Sequence, residues 1–298
     1  MQNPIDSNKP ILVFGGPYSN LQAAQAIRDL AARRGIPPGQ VICTGDIVAY
    51  CADPEETVHL IRDWGCHAIK GNCEENLAAR LPDCGCGFEE GTACDRLSKS
   101  WYAYATGRIS DESRAWMASL PAHLTFRIAG RMVRVIHGGV SETSRFVFAS
   151  TSRAEKQAEL AAAGADVIVG GHCGLPFIEP IGDKLWFNPG VIGMPANDGT
   201  RNGWFGLIEP AKGGARFSLE RLAYDAEAAA RRLHAAGFAP AYADALLTGL
   251  WPSLDVLPET ERAVTGTPLA ETSLLLDSHG AEAESIPDHP VSQLRQTR

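Results

Sequence analysis

The 298 residues predict an α/β fold, on three observations. Short apolar runs alternate with helix-period amphipathic segments over the first 70 residues. Paired apolar runs flank tight turns between residues 124 and 222. Hydrophobic residues make up 45% of the chain, enough for a core on both faces of a sheet.

Residues 11–14 form a first apolar run, and Gly15-Gly16-Pro17-Tyr18-Ser19 reads as a turn. Asn20 caps a helix with Leu21, Ala24, Ile27 and Leu30 on one face, ended by Gly35. Residues 41–44 are a second strand that runs into Gly45-Asp46. Asp53-Pro54 opens a helix to about residue 64, with Pro at the first helical position and Glu55 and Glu56 in the first turn. Residues 67–70 complete an alternation that predicts parallel strands with crossover helices. Residues 81–110 break the rhythm and read as an inserted segment holding a Cys-rich loop and a helix near residues 100–104. A helix near 111–120 follows. Residues 124–128 and 132–136 suggest a hairpin around Ala129-Gly130; a helix at 152–163 leads to a strand at 166–169. Residues 177–181 and 184–187 flank Gly182-Asp183, a strong hairpin signal, and 204–209 with 215–222 form a last pair. Two helices at 225–236 and 241–250 close a domain of residues 1–251. Residues 252–298 read as an extension of little periodicity, mobile over 277–298.

The chain carries 27 basic and 35 acidic residues, a net charge of −8, and gives no nucleic-acid signal. Its N-terminus lacks the pattern of a secretory signal, and no apolar run approaches a membrane span, so the expectation is a cytoplasmic protein with no membrane partner. The eight cysteines are expected as reduced thiols. Cys84-Gly85-Cys86 with Cys94 matches no paired Cys-x-x-Cys pattern and reads as loop thiols rather than a zinc site.

Four stretches carry the chemistry. Gly45-Asp46, Gly71-Asn72, His137-Gly138 and Gly171-His172 each follow an apolar run and set a metal-capable side chain beside a glycine. Alone, such an Asp forms a turn, such an Asn caps a helix, and such a His is a hydrogen-bonded core residue. Converging from strand ends, they make a mixed oxygen and nitrogen site suited to Mn, Fe, Zn or Ni.

With Asn188-Pro189-Gly190, this ordered set resembles the calcineurin-like metallophosphoesterase superfamily, and most its small bacterial and archaeal phosphodiesterase branch. The strings Gly45-Asp46-Ile47-Val48-Ala49-Tyr50 and Asp53-Pro54-Glu55-Glu56 extend the resemblance, which covers roughly residues 11–250. It implies a four-layer α-β-β-α sandwich of two mixed sheets, and a two-metal centre that hydrolyses phosphate esters. The chain departs from the family at three ligands. The first motif, Asp-x-His, stands here as Gly16 and Tyr18, and the second His of Gly-His-x-His is Gly174. All three belong to one metal position, whereas the other keeps Asp46, Asn72, His137 and His172. The expectation is one divalent transition metal per chain and no second tight one. Asp46, Asn72 and His137 would act in catalysis with Cys73, which stands where many relatives place a proton-donating His; a thiol is a poor general acid, and a structural thiol is the equal alternative. Gly15, Gly16 and Asn20 would offer backbone N–H groups to an anion at a helix N-terminus, or the glycines would only permit a tight turn, with Tyr18 and Cys173 lining the pocket. The expected activity is metal-dependent hydrolysis of a small phosphorylated substrate, by a phosphodiesterase or nucleotide-type phosphatase. The alternative is a non-catalytic relative that binds a metal or phosphate ligand. Homo-oligomer formation stays open.

Overall fold

A computed structural model describes residues 5, 6, 8–277 and, by backbone, 280–285. The first apolar run becomes β1 (Ile11–Phe14), followed by α1 (Leu21–Arg33), β2 (Val41–Cys43), α2 (Pro54–Trp64) and β3 (His67–Ala68). Then come α3 (Asn72–Ala79), α4 (Ala93–Thr106), α5 (Asp111–Ser119), and the hairpin of β4 (Leu124–Ile128) and β5 (Arg131–Val135). α6 (Arg153–Ala163) leads to β6 (Val167–Val169), β7 (Pro176–Ile181), β8 (Lys184–Pro189), β9 (Gly203–Ala211) and β10 (Gly214–Leu222). The chain continues through α7 (Ala226–Ala236), α8 (Pro240–Thr248), α9 (Glu259–Ala263), β11 (Thr272–Asp277) and β12 (Gly280–Ser285).

Two mixed sheets result. One has seven strands in the order β12-β11-β10-β9-β1-β2-β3, the other five in the order β4-β5-β6-β8-β7. β1 runs parallel to β2, with Leu12 opposite Val41, and antiparallel to β9. Strand alternation decides the layers. Ile11 and Val13 join Val133, Val135, Val167, Val169 and Phe187 in a core between the sheets. Leu12 and Phe14 face the other way, into a core with Ile27 of α1, Ile61 of α2 and Leu233 of α7. On the far side of the second sheet, Ile168 and Trp186 pack on Leu160 of α6. The order helix, sheet, sheet, helix is the four-layer α-β-β-α sandwich that the resemblance implies.

Three elements differ from the sequence reading. The expected strand at 67–70 is two residues long, and a helix that periodicity did not reveal, α3, starts at Asn72. The extension beyond residue 251 is not a separate appendage: β11 pairs antiparallel with β10 from Gly214–Asp277 to Leu219–Thr272. A two-residue alternation drives it, since Leu274 and Leu276 enter the core between the sheets. Of the stretch expected to be mobile, residues 278, 279 and 286–298 lie outside the described residues. Among the described residues no helix is long and apolar enough to cross a membrane.

Candidate metal centre

The centre lies where β2, β3, β5 and β6 end. Gly45 has φ +96° and Asp46 φ +55°, so the chain after β2 turns back through the left-handed region. A Cβ at Gly45 would come within 2.6 Å of the Gly71 nitrogen, so the loops after β2 and β3 touch only because a glycine stands there. Glu74, in the first turn of α3 and fully buried, binds both loops. Its carboxylate accepts from the N–H groups of Asp46 (2.7 Å), Ile47 (2.8 Å) and Gly71 (2.8 Å). The last of these is the return half of a capping box, at a helix whose N-cap is a glycine. Opposite, the N–H groups of Gly171 and His172 both donate to the His137 carbonyl at 2.8 Å, which sets the loops after β5 and β6 side by side.

Four ligand atoms converge. His137 Nε2 lies 3.2 Å from Asp46 Oδ2, 3.1 Å from Asn72 Oδ1 and 3.0 Å from His172 Nδ1. His172 Nδ1 is 4.0 Å from Asp46 Oδ2. His137 Nδ1 sits 2.7 Å from the Thr44 carbonyl, which can only accept, so Nδ1 carries the proton and Nε2 of the neutral ring is a bare lone pair. The Asn72 amide donates from Nδ2 to the Cys84 carbonyl at 2.9 Å, which turns its Oδ1 inward. The inward oxygens of Asp46 and Asn72 and the His137 nitrogen are thus lone pairs with one negative charge among them. His172 Nδ1 supplies a fourth when its ring proton sits on Nε2, and all four residues are buried. Ligands at about 2.1 Å from one ion stand roughly 3.0–3.4 Å apart, so these spacings fit a single divalent transition ion. Among the described residues, Asp46, His137 and His172 are the one group of three or more Asp, Glu, His or Cys side chains with that geometry.

The electrostatics agree. Burial, then the neighbouring His137, pushes the His172 imidazolium down to about 3, so the ring is neutral and ready to ligate. Burial opposes charge on Asp46 and His137 too, but their mutual attraction outweighs it, lowering the Asp46 carboxyl and raising the His137 ring. Without a cation this pair holds a proton that an ion would displace.

The three departures from the family pattern form one packing unit. The Tyr18 ring lies over Gly16, where a Cβ would come within 2.5 Å of Cζ, and its hydroxyl lies 3.6 Å from where a Gly174 Cβ would be. The phenol therefore spans the space between the two positions that lost their ligands. Tyr50 packs against its edge, ring centroids 4.7 Å apart. Burial, then the Asp46 charge, raises the phenol well above its ordinary value, so without a bound cation it remains an O–H donor.

Tyr18 and Cys173 line the cleft beside Asp46 and His172. Some expectations need correction. Gly15, Gly16 and Asn20 form no anion cradle, because their N–H groups already donate to the carbonyls of Gly190, Gly45 and Pro17. The Asn20 side chain caps α1 at Ala23 and donates to the Gly193 carbonyl. Cys73 packs in the core beneath the helical layer, its sulfur beside the Asn72 amide, and burial then the Asp46 charge raise its thiol well above the usual range. That is a poor proton donor to a cleft it does not line. Cys84 and Cys86 are joined by a disulfide rather than reduced, since a turn with Gly85 at φ +64° sets their Cα atoms 5.3 Å apart. Their loop is no bystander, because it orients Asn72.

The sequence reading missed Glu74 and Phe146. Glu74 stands three residues after Gly71, a capping-box offset hidden by the missing cap side chain. Phe146 packs at a tilt against His172, ring centroids 4.3 Å apart, from a loop without periodicity.

A family model described as the calcineurin-like phosphoesterase superfamily domain matches residues 19–210, beginning just after Tyr18. An uncharacterized protein of Methanocaldococcus jannaschii, MJ0912, is 24% identical over 238 residues, covering 75% of this chain and 91% of its own. The crystal structure of a metallophosphoesterase from Sphaerobacter thermophilus superposes with a TM-score of 0.64 at 20% identity, covering 83% of this chain and 100% of that one. A hypothetical protein from Pyrococcus horikoshii, PH1004, gives 0.67 at 16% identity, covering 81% and 99%. These likenesses support the fold.

Proposed function

This chain belongs to the calcineurin-like phosphoesterase superfamily, and we propose that it hydrolyses a small phosphorylated substrate with one divalent metal held by Asp46, Asn72, His137 and His172. The convergence of their four ligand-capable atoms around one negative charge carries this reading. A divalent ion bound there would neutralise charge on phosphoryl oxygens and lower the pKa of water. The chain's own residues do the rest. Glu74 and Thr44 fix the loop and ring that present Asp46 and His137. The neutral Tyr18 phenol, where a second ion stands in two-metal relatives, supplies a hydrogen bond to a phosphoryl or leaving oxygen. Phe146 covers His172 and keeps bulk water from its ring.

The test is metal analysis of protein purified without chelators, beside Asp46→Ala and His172→Ala, with hydrolysis of bis(4-nitrophenyl) phosphate before and after chelation. About one ion per chain, absent from both variants, with hydrolysis that chelation abolishes, supports the reading. A metal-bound chain that releases no phosphate or nitrophenol would favour the second reading, a non-catalytic binder. The phenol packed where relatives hold their other ion is the observation in its favour.

A further inference from the structure

Next to the metal centre, and lined at its base by Asp46 and His172, lies a cavity of about 70 Å³. That is room for the centres of about five water molecules, the size of one ring or a short alkyl chain. Its walls are rings and apolar chains: Tyr50, Phe88, Phe146, Met194, Tyr242 and Trp251. They are held in place. Tyr50 packs on Tyr18 and Tyr242 at centroid distances of 4.7 and 4.9 Å, and Trp251 Nε1 donates to the Pro195 carbonyl at 2.7 Å. An open cleft of about 420 Å³ adjoins the cavity, and Phe88, Cys94, Phe146 and Val256 line both.

The charges are as informative as the rings. Among the described residues lining the inner cavity none is Lys or Arg, and Asp46 is the one charged side chain. In the adjoining cleft Arg262 donates to the Leu254 and Leu257 carbonyls, and Glu89 and Asp255 are acidic. A divalent ion with one carboxylate, an amide and two neutral imidazoles has a net charge of +1. That neutralises a monoanion. A phosphomonoester dianion or a nucleotide polyphosphate would set unpaired charge against apolar walls, which is costly.

Building on the hydrolytic reading above, we propose that the substrate is a monoanionic phosphoester whose substituent next to phosphorus is an apolar ring or alkyl chain seated in this cavity, and that nucleotide phosphates are excluded.

The test separates this from the hydrolytic reading. Binding to the metal-loaded full chain is measured by calorimetry with three non-hydrolysable probes: diphenylphosphinate, dimethylphosphinate and phenylphosphonate. The first two share one negative charge and differ in rings; the third keeps a ring and adds charge. The expected result is diphenylphosphinate binding about tenfold or more tighter than either of the others. Phe88→Ala should shrink its advantage over dimethylphosphinate, and Val256→Arg should raise affinity for phenylphosphonate. Equal binding of the two monoanions, or tighter binding of phenylphosphonate or ATP, overturns the proposal. Chelator-sensitive hydrolysis with either of those binding results would leave the hydrolase standing and the cavity inference fallen. Selective binding without hydrolysis of any phosphoester would leave the cavity's ligand preference standing and the hydrolase fallen.

Discussion

Glu74 reaches both loops that carry oxygen ligands, and its three short bonds from backbone N–H groups ask for an acceptor at both oxygens. Glu74→Gln turns an NH2 group toward N–H donors and should cost about 2–4 kcal/mol of stability, read by urea unfolding. The same residue gives a signed pH test in metal-free protein. Burial, then the Asp46 charge, raises Glu74 from 4.5 to about 7, so the folded chain binds more protons in that window and Glu74 favours folding as pH falls. His172, lowered from 6.5 to about 3, does the reverse: the unfolded chain binds more protons, and stability is lost as pH falls below 6.5. The two offset each other in wild type. Glu74→Gln should therefore lose stability on acidification from pH 6.5 to 4.5, and His172→Gln should gain it, by at most about 1.4 kcal/mol per pH unit. Identical slopes in the two variants would refute the assignment. The packing of Tyr18 over Gly16 is testable in the same way. Gly16→Ala should cost about 1–3 kcal/mol, and a Tyr18→Ala background should relieve the part due to the ring clash but not the part due to Gly16 sitting at φ +33°. Combining Gly16→Asp, Tyr18→His and Gly174→His should raise bound metal above the wild-type stoichiometry; an unchanged ratio counts against the phenol as the plug.

At the scale of elements, the inserted segment is a wall of the site. Tyr102 and Tyr104 of α4 donate to the carbonyls of Leu81 and Ala52, each at 2.9 Å, tying the insertion to the loop after α3 and to the loop that carries Asp46. Before α4, the Cys84 carbonyl fixes the Asn72 amide. Replacing residues 83–86 with a Gly/Ser linker should lower metal affinity about tenfold, as loss of a ligand's orienting partner does. Circular dichroism should stay unchanged. Undiminished affinity in a metal-competition titration would mean that Asn72 does not depend on this loop.

For the molecule as a whole, the core between the two sheets draws on β1 and β11, whose Ile11, Val13, Leu274 and Leu276 pack with Val133, Val167 and Phe187 of the second sheet. Leu274 and Leu276 are nearly or fully buried, so ending the chain after residue 270 removes about 3–6 kcal/mol of apolar burial. It also bares the hydrogen-bonding edge of β10. A lowered Tm together with concentration-dependent association on gel filtration is the expected result. A monomer of wild-type Tm would mean that the last strands do not support the core.

The candidate metal ligands were legible because each stands next to a glycine at the end of an apolar run, and their order along the chain is itself a signature. The alternation of strand and helix was legible for the same reason: local periodicity reports which side of an element is apolar. The emptied metal position was readable too, at Gly16, Tyr18 and Gly174. The filling of that space by the Tyr18 ring was not, because it depends on segments more than 150 residues apart meeting. The anion cradle failed as an expectation because backbone N–H groups of a glycine turn look free until the strands that take them are in place. Glu74, the Cys84 carbonyl and the aromatic cavity walls carry no periodic signal at all. The sequence by itself determined the donor set and the layered α/β fold, since both rest on residue type and local spacing. Only the tertiary structure decided which lone pairs converge, which backbone donors remain and what lines the cavity, since those depend on contacts between distant segments.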